Sequence, residues 1–236
     1  MKARETSAEH NAVAVLIPCR DEAATIGAVV GDFARALAGA AVLVCDNASG
    51  DETARLAAAA GATVIAEPRP GKGQALGRLF EAFLAGPWQA ALLVDGDGTY
   101  PAAHAADLVR PVLGGAADMV VGSRLERRAA GSLRATNLVG NHALSAAIGW
   151  VGRQRLRDAL SGYRALSRSL VAALPAAMDG FEVETVITLE ALRAGRRVRE
   201  VPVRYLPRPA GSSSKLRPWR DGWRLGRVVL RYARRD

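Results

Sequence analysis

Two carboxylates one residue apart, Asp95 and Asp97, close an apolar run in the stretch LLVDGDGTYP (residues 92–101). Ala90–Val94 reads as a buried strand, so Asp95-Gly96-Asp97 leaves it with no polar residue between. Turn chemistry accounts for this composition, because Asp bonds its own backbone and Gly accepts positive φ. A divalent metal accounts for it too. Small hard cations such as Mg²⁺ or Mn²⁺ take few protein carboxylates and keep diphosphate oxygens or water in their other positions. Under that reading Asp97 is the direct ligand, and Asp95 shares the ion or orients its water.

Elements that must position these groups follow from periodicity. Strand patterns at Val13–Pro18, Ala41–Cys45, Thr63–Ala66, Ala90–Val94 and Met119–Gly122 alternate with helical patterns at Thr25–Leu37, Glu52–Ala60, Lys72–Leu84 and Ala102–Leu113. Such alternation predicts a mainly parallel sheet flanked by helices, with ligands bound beyond the carboxyl ends of the strands. Those ends carry PCRDE (18–22), DNASGD (46–51), EPRPGKG (67–73), DGDG (95–98) and GSR (122–124). A turn explains any one of them. It does not explain Arg20, Arg69, Lys72 and Arg124 gathered beside four acidic clusters. Further on, residues 133–152 read as a helix, SGYRALS (161–167) as the start of a short strand, 182–194 as a helix and 198–205 as a last strand. PRPAGSSSKLRP is a Pro/Gly/Ser loop expected to be mobile, and Trp219–Arg235 a basic amphipathic helix.

The 236 residues carry a formal charge of +9, concentrated at one end: from Arg193 to Asp236 there are fourteen basic residues against three acids. Such a balance suits an anionic bilayer surface, a nucleic acid or a phosphorylated substrate. Zinc spacing, RNA-reading aromatic motifs and basic-region heptads are all missing, so no nucleic-acid partner is expected. No apolar stretch reaches the length of a membrane span, and the N-terminus does not read as a signal peptide. Cys19 and Cys45 make neither a disulfide framework nor a metal cluster, which fits a reduced cytoplasmic setting. The first strand is followed by PCRDEAATIG rather than G-x-G-x-x-G, and Gly71-Lys72-Gly73-Gln74 is not a P-loop, so neither NAD nor ATP hydrolysis is supported. A metal at Asp97 and Asp95 would polarise a diphosphate. Lys72 and Arg124 would add charge to the leaving group, and Asp46 and Glu22 would hydrogen-bond a ribose or base.

These motifs, in this order, resemble glycosyltransferase family 2, the inverting nucleotide-sugar transferases with a GT-A, Rossmann-like α/β fold. The resemblance is greatest to the dolichol-phosphate-mannose synthase-like branch. IPCRDEAATIG is similar to that branch's I-P-x-x-N-E, DNASGDET to its D-x-S-x-D and PGKGQAL to its phosphate-side loop. Asp95 and Asp97 form the D-x-D and GSR follows the next strand. DALSGYR matches D-x-x-S-G-[FY]-R, FEVET matches F-E-x-E, and Arg208, Gly211, Ser214 and Lys215 are similar to R-x-x-G-x-S-K, with one residue more between glycine and serine. The resemblance spans residues 13–216. It implies a nucleotide-sugar-binding half (13–124), an acceptor-binding half (125–216) and a basic C-terminal helix (217–236) within one catalytic domain.

By the same resemblance, Pro18, Arg20, Glu22, Asp46, Lys72, Asp95, Gly96 and Asp97 bind the nucleotide-sugar, linked to UDP or GDP. Asp95, Asp97 and Arg124 serve catalysis. Arg124, Ser161, Arg164, Glu182 and Glu184 lie toward the acceptor, and Arg208, Ser214 and Lys215 sit on a loop closing over phosphates. Two departures stand out: Asp21 replaces the usual Asn, and Thr99 stands where mannosyl members often carry Gln. Members that attack a sugar hydroxyl usually carry an E-D pair whose Asp is the general base, and FEVET lacks it. A phosphate monoester is already ionised at neutral pH, with a second pKa of about 6. The expected acceptor is therefore a polyprenyl phosphate, reached by a peripheral enzyme whose basic helix lies on an anionic membrane. A soluble hydroxyl-bearing or phosphorylated acceptor is the alternative within the same fold. Oligomeric state is left open.

Overall fold

Short runs rich in Val, Leu, Ile and Ala become the strands of a central sheet, its middle strands buried on both faces, in the computed structural model, which describes residues 10–129, 135–175, 182–209 and 218–234. The strands are β1 (Val13–Cys19), β2 (Ala41–Asp46), β3 (Thr63–Ala66), β4 (Ala90–Leu93), β5 (Met119–Arg128), β6 (Arg164–Ser167) and β7 (Val198–Tyr205). The helices are α1 (Ile26–Ala36), α2 (Thr53–Ala59), α3 (Lys72–Ala85), α4 (Ala105–Leu113), α5 (Ala135–Val151), α6 (Arg168–Ala173), α7 (Val183–Arg193) and α8 (Pro218–Ala233). A short 3₁₀ turn, Ala102–His104, leads into α4.

Sheet order is β3-β2-β1-β4-β6-β5-β7. All neighbouring pairs are parallel except those of β6, which runs antiparallel to both β4 and β5. Six strands therefore end at one edge of the sheet, and β6 begins there. That single reversal delivers Ser161-Gly162-Tyr163 to the edge holding Asp95 and Asp97, with Arg164 in register with both Leu93 and Val121.

Alternation along each strand divides the core in two. Val13, Val15 and Ile17 pack with Val30, Phe33 and Leu108 beneath α1 and α4. Ala14 and Leu16 face Leu79, Phe83, Ile187 and Val228 beneath α3, α7 and α8. Covering both faces explains why the strands read as continuous apolar runs.

Two features differ from expectation. Strand β5 continues past Gly122 to Arg128, because after an irregularity between Ser123 and Arg127 its backbone pairs again with β7. Its second half is polar and so gives no apolar signal. Helix α6 was absent from the periodic pattern; at six residues it is too short to show one, and its N-cap is Ser167, whose hydroxyl accepts from Leu170 N at 3.2 Å. The segment 210–217, with Ser214 and Lys215, lies outside the described residues.

Candidate active site

Turn geometry at the end of β4 brings the two carboxylates out of a fully buried strand. Gly96 packs so tightly that a Cβ there would lie 2.4 Å from Cys19 Sγ, and Gly98 takes φ +73°, a left-handed conformation suited to glycine. The Gly96 carbonyl accepts from Thr25 Oγ1 at 2.7 Å, which fastens the turn to the entry of α1. Asp97 Oδ1 is engaged within the turn, by Thr99 N at 3.0 Å and Thr99 Oγ1 at 2.6 Å. Its Oδ2 meets the Arg208 guanidinium at 2.5 Å. Thr99, noted in the sequence as a departure, thus orients the aspartate.

Asp95 points the other way. Lys72 Nζ lies 2.7 Å from Asp95 Oδ1 and 2.5 Å from Glu184 Oε1, joining the first turn of α3, the end of β4 and the start of α7. Burial opposes ionisation of Lys72, Asp95 and Asp97. For Lys72 the two carboxylates outweigh burial and hold the ammonium above its ordinary range. For Asp95 burial pushes the pKa up, but the ammonium wins and the net shift is downward. Asp97 ends above the ordinary aspartate value, through burial first and the Asp95 charge second.

On the β1–β3 side, Asp46 Oδ1 is buried with no hydrogen-bonding partner, an orphaned acceptor of the kind a ribose hydroxyl or base N–H satisfies. Pro18 lines the same crevice as Lys72, Asp95 and Glu184. Glu22 forms the corner into α1: its N–H donates to Thr53 Oγ1 at 2.8 Å and its carbonyl accepts from Thr25 and Ile26. Arg20 is half-exposed beside Asp21, at 3.7 Å. Asp21, at φ +50°, accepts from Gly50 N at 2.8 Å, a bond that an Asn carbonyl would also make.

The remaining candidates sit behind this surface. Arg124 makes a two-pronged pair with Asp158, at 2.8 and 2.7 Å, and lies over the Tyr205 ring at 5.5 Å. Arg164 is fully buried, its guanidinium donating to the carbonyls of Ser161 (2.6 Å), Glu184 (3.0 Å) and Ala159 and to Thr188 Oγ1 (2.7 Å). Ser161 Oγ donates to the Gly122 carbonyl at 2.6 Å. These three tie β5, the turn before β6, and α7 into one block. Glu182 caps that block at the start of α7, and its Oε2 is buried without a partner.

Two contributors were missed by sequence reasoning. Asn47 donates to the carbonyls of Glu67 (3.0 Å) and Arg69 (2.7 Å) and accepts from Gly71 N (2.7 Å), so it shapes the loop that presents Lys72. Its position just past a strand end was the available signal. Asp158 was quoted only as part of a motif, yet it anchors Arg124.

The donor chemistry fits a small hard cation. Asp95 and Asp97 offer oxygen only, the ligand type of Mg²⁺ and Mn²⁺, and among the described residues no three or more His, Cys, Asp or Glu side chains gather into a metal-holding group. Asp97 Oδ2 already takes a positive partner.

Residues 14–171 match the family model described as glycosyl transferase family 2. Glycosyltransferase AglJ of Haloferax volcanii is 39% identical, over 95% of this chain and 72% of its own. A dolichyl-phosphate hexose transferase of the same organism is 29% identical, over 93% and 92%. Among solved structures, glucosyl-3-phosphoglycerate synthase from Mycobacterium tuberculosis in complex with Mn²⁺, UDP and phosphoglyceric acid superposes with a TM-score of 0.72 at 26% identity, covering 97% of this chain and 80% of that one. Another complex of that enzyme holds Mn²⁺, UDP-glucose and glycerol 3-phosphate. The GT-A, Rossmann-like fold is therefore the fold of this chain.

The expected dolichol-phosphate-mannose synthase-like branch, with its polyprenyl-phosphate acceptor and anionic membrane surface, is corrected by the solved structures. Structures that superpose over nearly the whole chain are complexes with small phosphorylated molecules as well as a uridine nucleotide. The physical basis for the membrane expectation also changes. On α8, Leu225, Val228, Val229 and Tyr232 are spent on the protein's own core. Several cations of the basic C-terminal stretch are paired internally, Arg196 and Arg197 with Asp118 and Arg208 with Asp97. Among the described residues no helix is long and apolar enough to cross a membrane.

Proposed function

The chain belongs to glycosyl transferase family 2, and from that premise we propose that it transfers a sugar from a UDP-sugar to a small phosphorylated acceptor. One observation carries the reading: the Asp95–Asp97 turn lies at the strand-end edge of a fold whose solved counterpart holds Mn²⁺, UDP and phosphoglyceric acid together. The reaction is metal-dependent, with Mg²⁺ or Mn²⁺ held through Asp97 and Asp95 beside it. When bound, the ion neutralises the diphosphate and stabilises charge on the departing nucleoside diphosphate.

The chain's own residues supply orientation. Pro18 and the orphaned Asp46 oxygen form the nucleotide side, where a ribose or base N–H or O–H satisfies the buried acceptor. Lys72 fixes Asp95 by its second contact to Glu184, so the nucleotide half and the acceptor half share one charged link. Arg124 and Arg164 act one layer back as positioning residues, holding the turn before β6 against the D-x-D. The acceptor enters beside the start of α7, where the partnerless Glu182 and Thr185 oxygens supply hydrogen-bonding capacity.

A donor and acceptor screen reading released UDP tests this. Purified protein with UDP-glucose and other UDP-sugars, Mn²⁺, and 3-phosphoglycerate or glycerol 3-phosphate should release UDP only when metal and acceptor are both present. Asp97→Asn should remove that release. UDP release indifferent to metal, or none with any small phosphorylated acceptor, would reject the proposal.

A further inference from the structure

We propose that Arg208 and the divalent ion are alternative partners of Asp97, so that metal entry hands this arginine over to the diphosphate. The inference rests on the metal and donor reading above and adds an order to it.

The two oxygens of Asp97 are held differently. Oδ1 is bound inside its own turn by the N–H and hydroxyl of Thr99, whereas Oδ2 meets a side chain from 111 residues further along the chain, Arg208 Nη2, at 2.5 Å. Oδ2 is thus the oxygen whose partner can change without unmaking the turn. The backbone around Arg208 is tethered independently of that contact. Leu206 N donates to the Thr99 carbonyl at 2.9 Å, and Pro209 packs where a Cβ on Gly98 would stand 3.5 Å from its Cγ. An arginine displaced from Asp97 therefore stays beside the D-x-D.

Charge dictates the exchange. Among the described residues, Asp95, Asp97 and Glu184 present three negative charges, against Lys72 and Arg208. Lys72 is committed between Asp95 and Glu184, at 2.7 and 2.5 Å, which leaves Arg208 as the cation on Asp97. A buried carboxylate stripped of its partner is costly, so Arg208 keeps Asp97 compensated before metal arrives. A divalent ion in its place more than compensates Asp97. The site then carries one positive charge in excess, counting the released guanidinium, and a diphosphate is the ligand that balances it.

The test reads binding in two steps. Titration of Mn²⁺ alone, by calorimetry and by the electron paramagnetic resonance signal of free Mn²⁺, should show about five- to tenfold tighter binding to Arg208→Ala than to the native chain, the scale of a partly buried ion pair. UDP titrated at saturating Mn²⁺ should bind the same variant more weakly. Opposite signs from one substitution are the signature, since a merely structural role would weaken both. Arg208→Lys retains a competing cation and should keep Mn²⁺ affinity near the native value. Mn²⁺ affinity that is unchanged or weaker in Arg208→Ala overturns the proposal, as does a native chain that binds no Mn²⁺. UDP binding that ignores Mn²⁺ in the native chain would instead count against the donor reading, while the Mn²⁺ titration still decides the competition.

Discussion

Gly162 and Asp95 are in such close contact that a Cβ on the glycine would stand 2.6 Å from Asp95 Oδ2. The turn before β6 is therefore the wall against which the first carboxylate of the D-x-D is set. Asp95 cannot simply swing away, because Lys72 grips its other oxygen at 2.7 Å. Gly162→Ala should fold, as the added methyl meets a side chain and not backbone, but should displace Asp95 and lower kcat by about 10²-fold, the scale of a 1 Å misplacement. Thermal melting and steady-state assays together check it; full activity in the alanine variant would show the wall to be soft.

Lys72 makes a second prediction. Removing it as Lys72→Met leaves Asp95 and Glu184 without their shared cation, and destabilisation of about 3 kcal/mol is expected. Adding Glu184→Gln removes one of the uncompensated charges and should recover part of that stability while activity stays lost. Urea unfolding of the single and double variants measures the coupling. Strictly additive effects would mean that Lys72 does not bridge the two carboxylates in solution.

Acid sensitivity follows from the Arg124–Asp158 pair. Burial raises the Asp158 pKa, but Arg124 outweighs it and the folded value lies below the ordinary aspartate range. A carboxyl with a depressed folded pKa stabilises above its unfolded value, about 3.9, and loses that contribution as pH falls through the folded one. Asp158→Asn should therefore cost about 3–5 kcal/mol at neutral pH, the price of stranding a buried guanidinium. The gap between variant and native chain should stay flat from pH 8 to about pH 5 and narrow only below about pH 4. Urea unfolding at stepped pH gives this curve, and a gap that widens toward acid would contradict the assignment.

Much of this site was legible because β-strand periodicity locates strand ends, and a parallel sheet collects those ends on one edge. The placement of Asp46, Lys72, Asp95 and Asp97 along that edge was read that way. What periodicity cannot supply is direction. Nothing in SGYRALS says that β6 runs antiparallel, yet that reversal puts Gly162 against Asp95 and sends Arg164 inward. Nor does residue type reveal partner. Arg124 and Arg164 read as free cations available to a phosphate, and both are engaged inside the protein, one by a carboxylate and one by carbonyls and a hydroxyl. The basic C-terminal stretch misled for the same reason: its charge was visible, but not the internal acids that answer it nor the core that takes the apolar stripe of α8.

Between the two aspartates, Gly96 sits against the thiol of Cys19, and the contact makes a compensating pair possible. A Cβ at Gly96 would stand 2.4 Å from Cys19 Sγ, at the buried end of β1, where neither strand has room to yield. Gly96→Ala should cost about 1–3 kcal/mol by overpacking, and it should weaken Mn²⁺-dependent UDP binding because the turn carrying Asp97 is pushed off β1. Cys19→Ala deletes the sulfur atom that the new methyl would meet. Combined in one chain, the two substitutions should restore most of the UDP affinity lost in Gly96→Ala alone, while Cys19→Ala by itself leaves a small cavity and a modest loss of stability. Calorimetric UDP titrations on the four proteins of this cycle read the effect. Failure of the double variant to bind UDP better than Gly96→Ala would mean that Gly96 is required for something other than its contact with Cys19, such as direct approach of its backbone to the diphosphate.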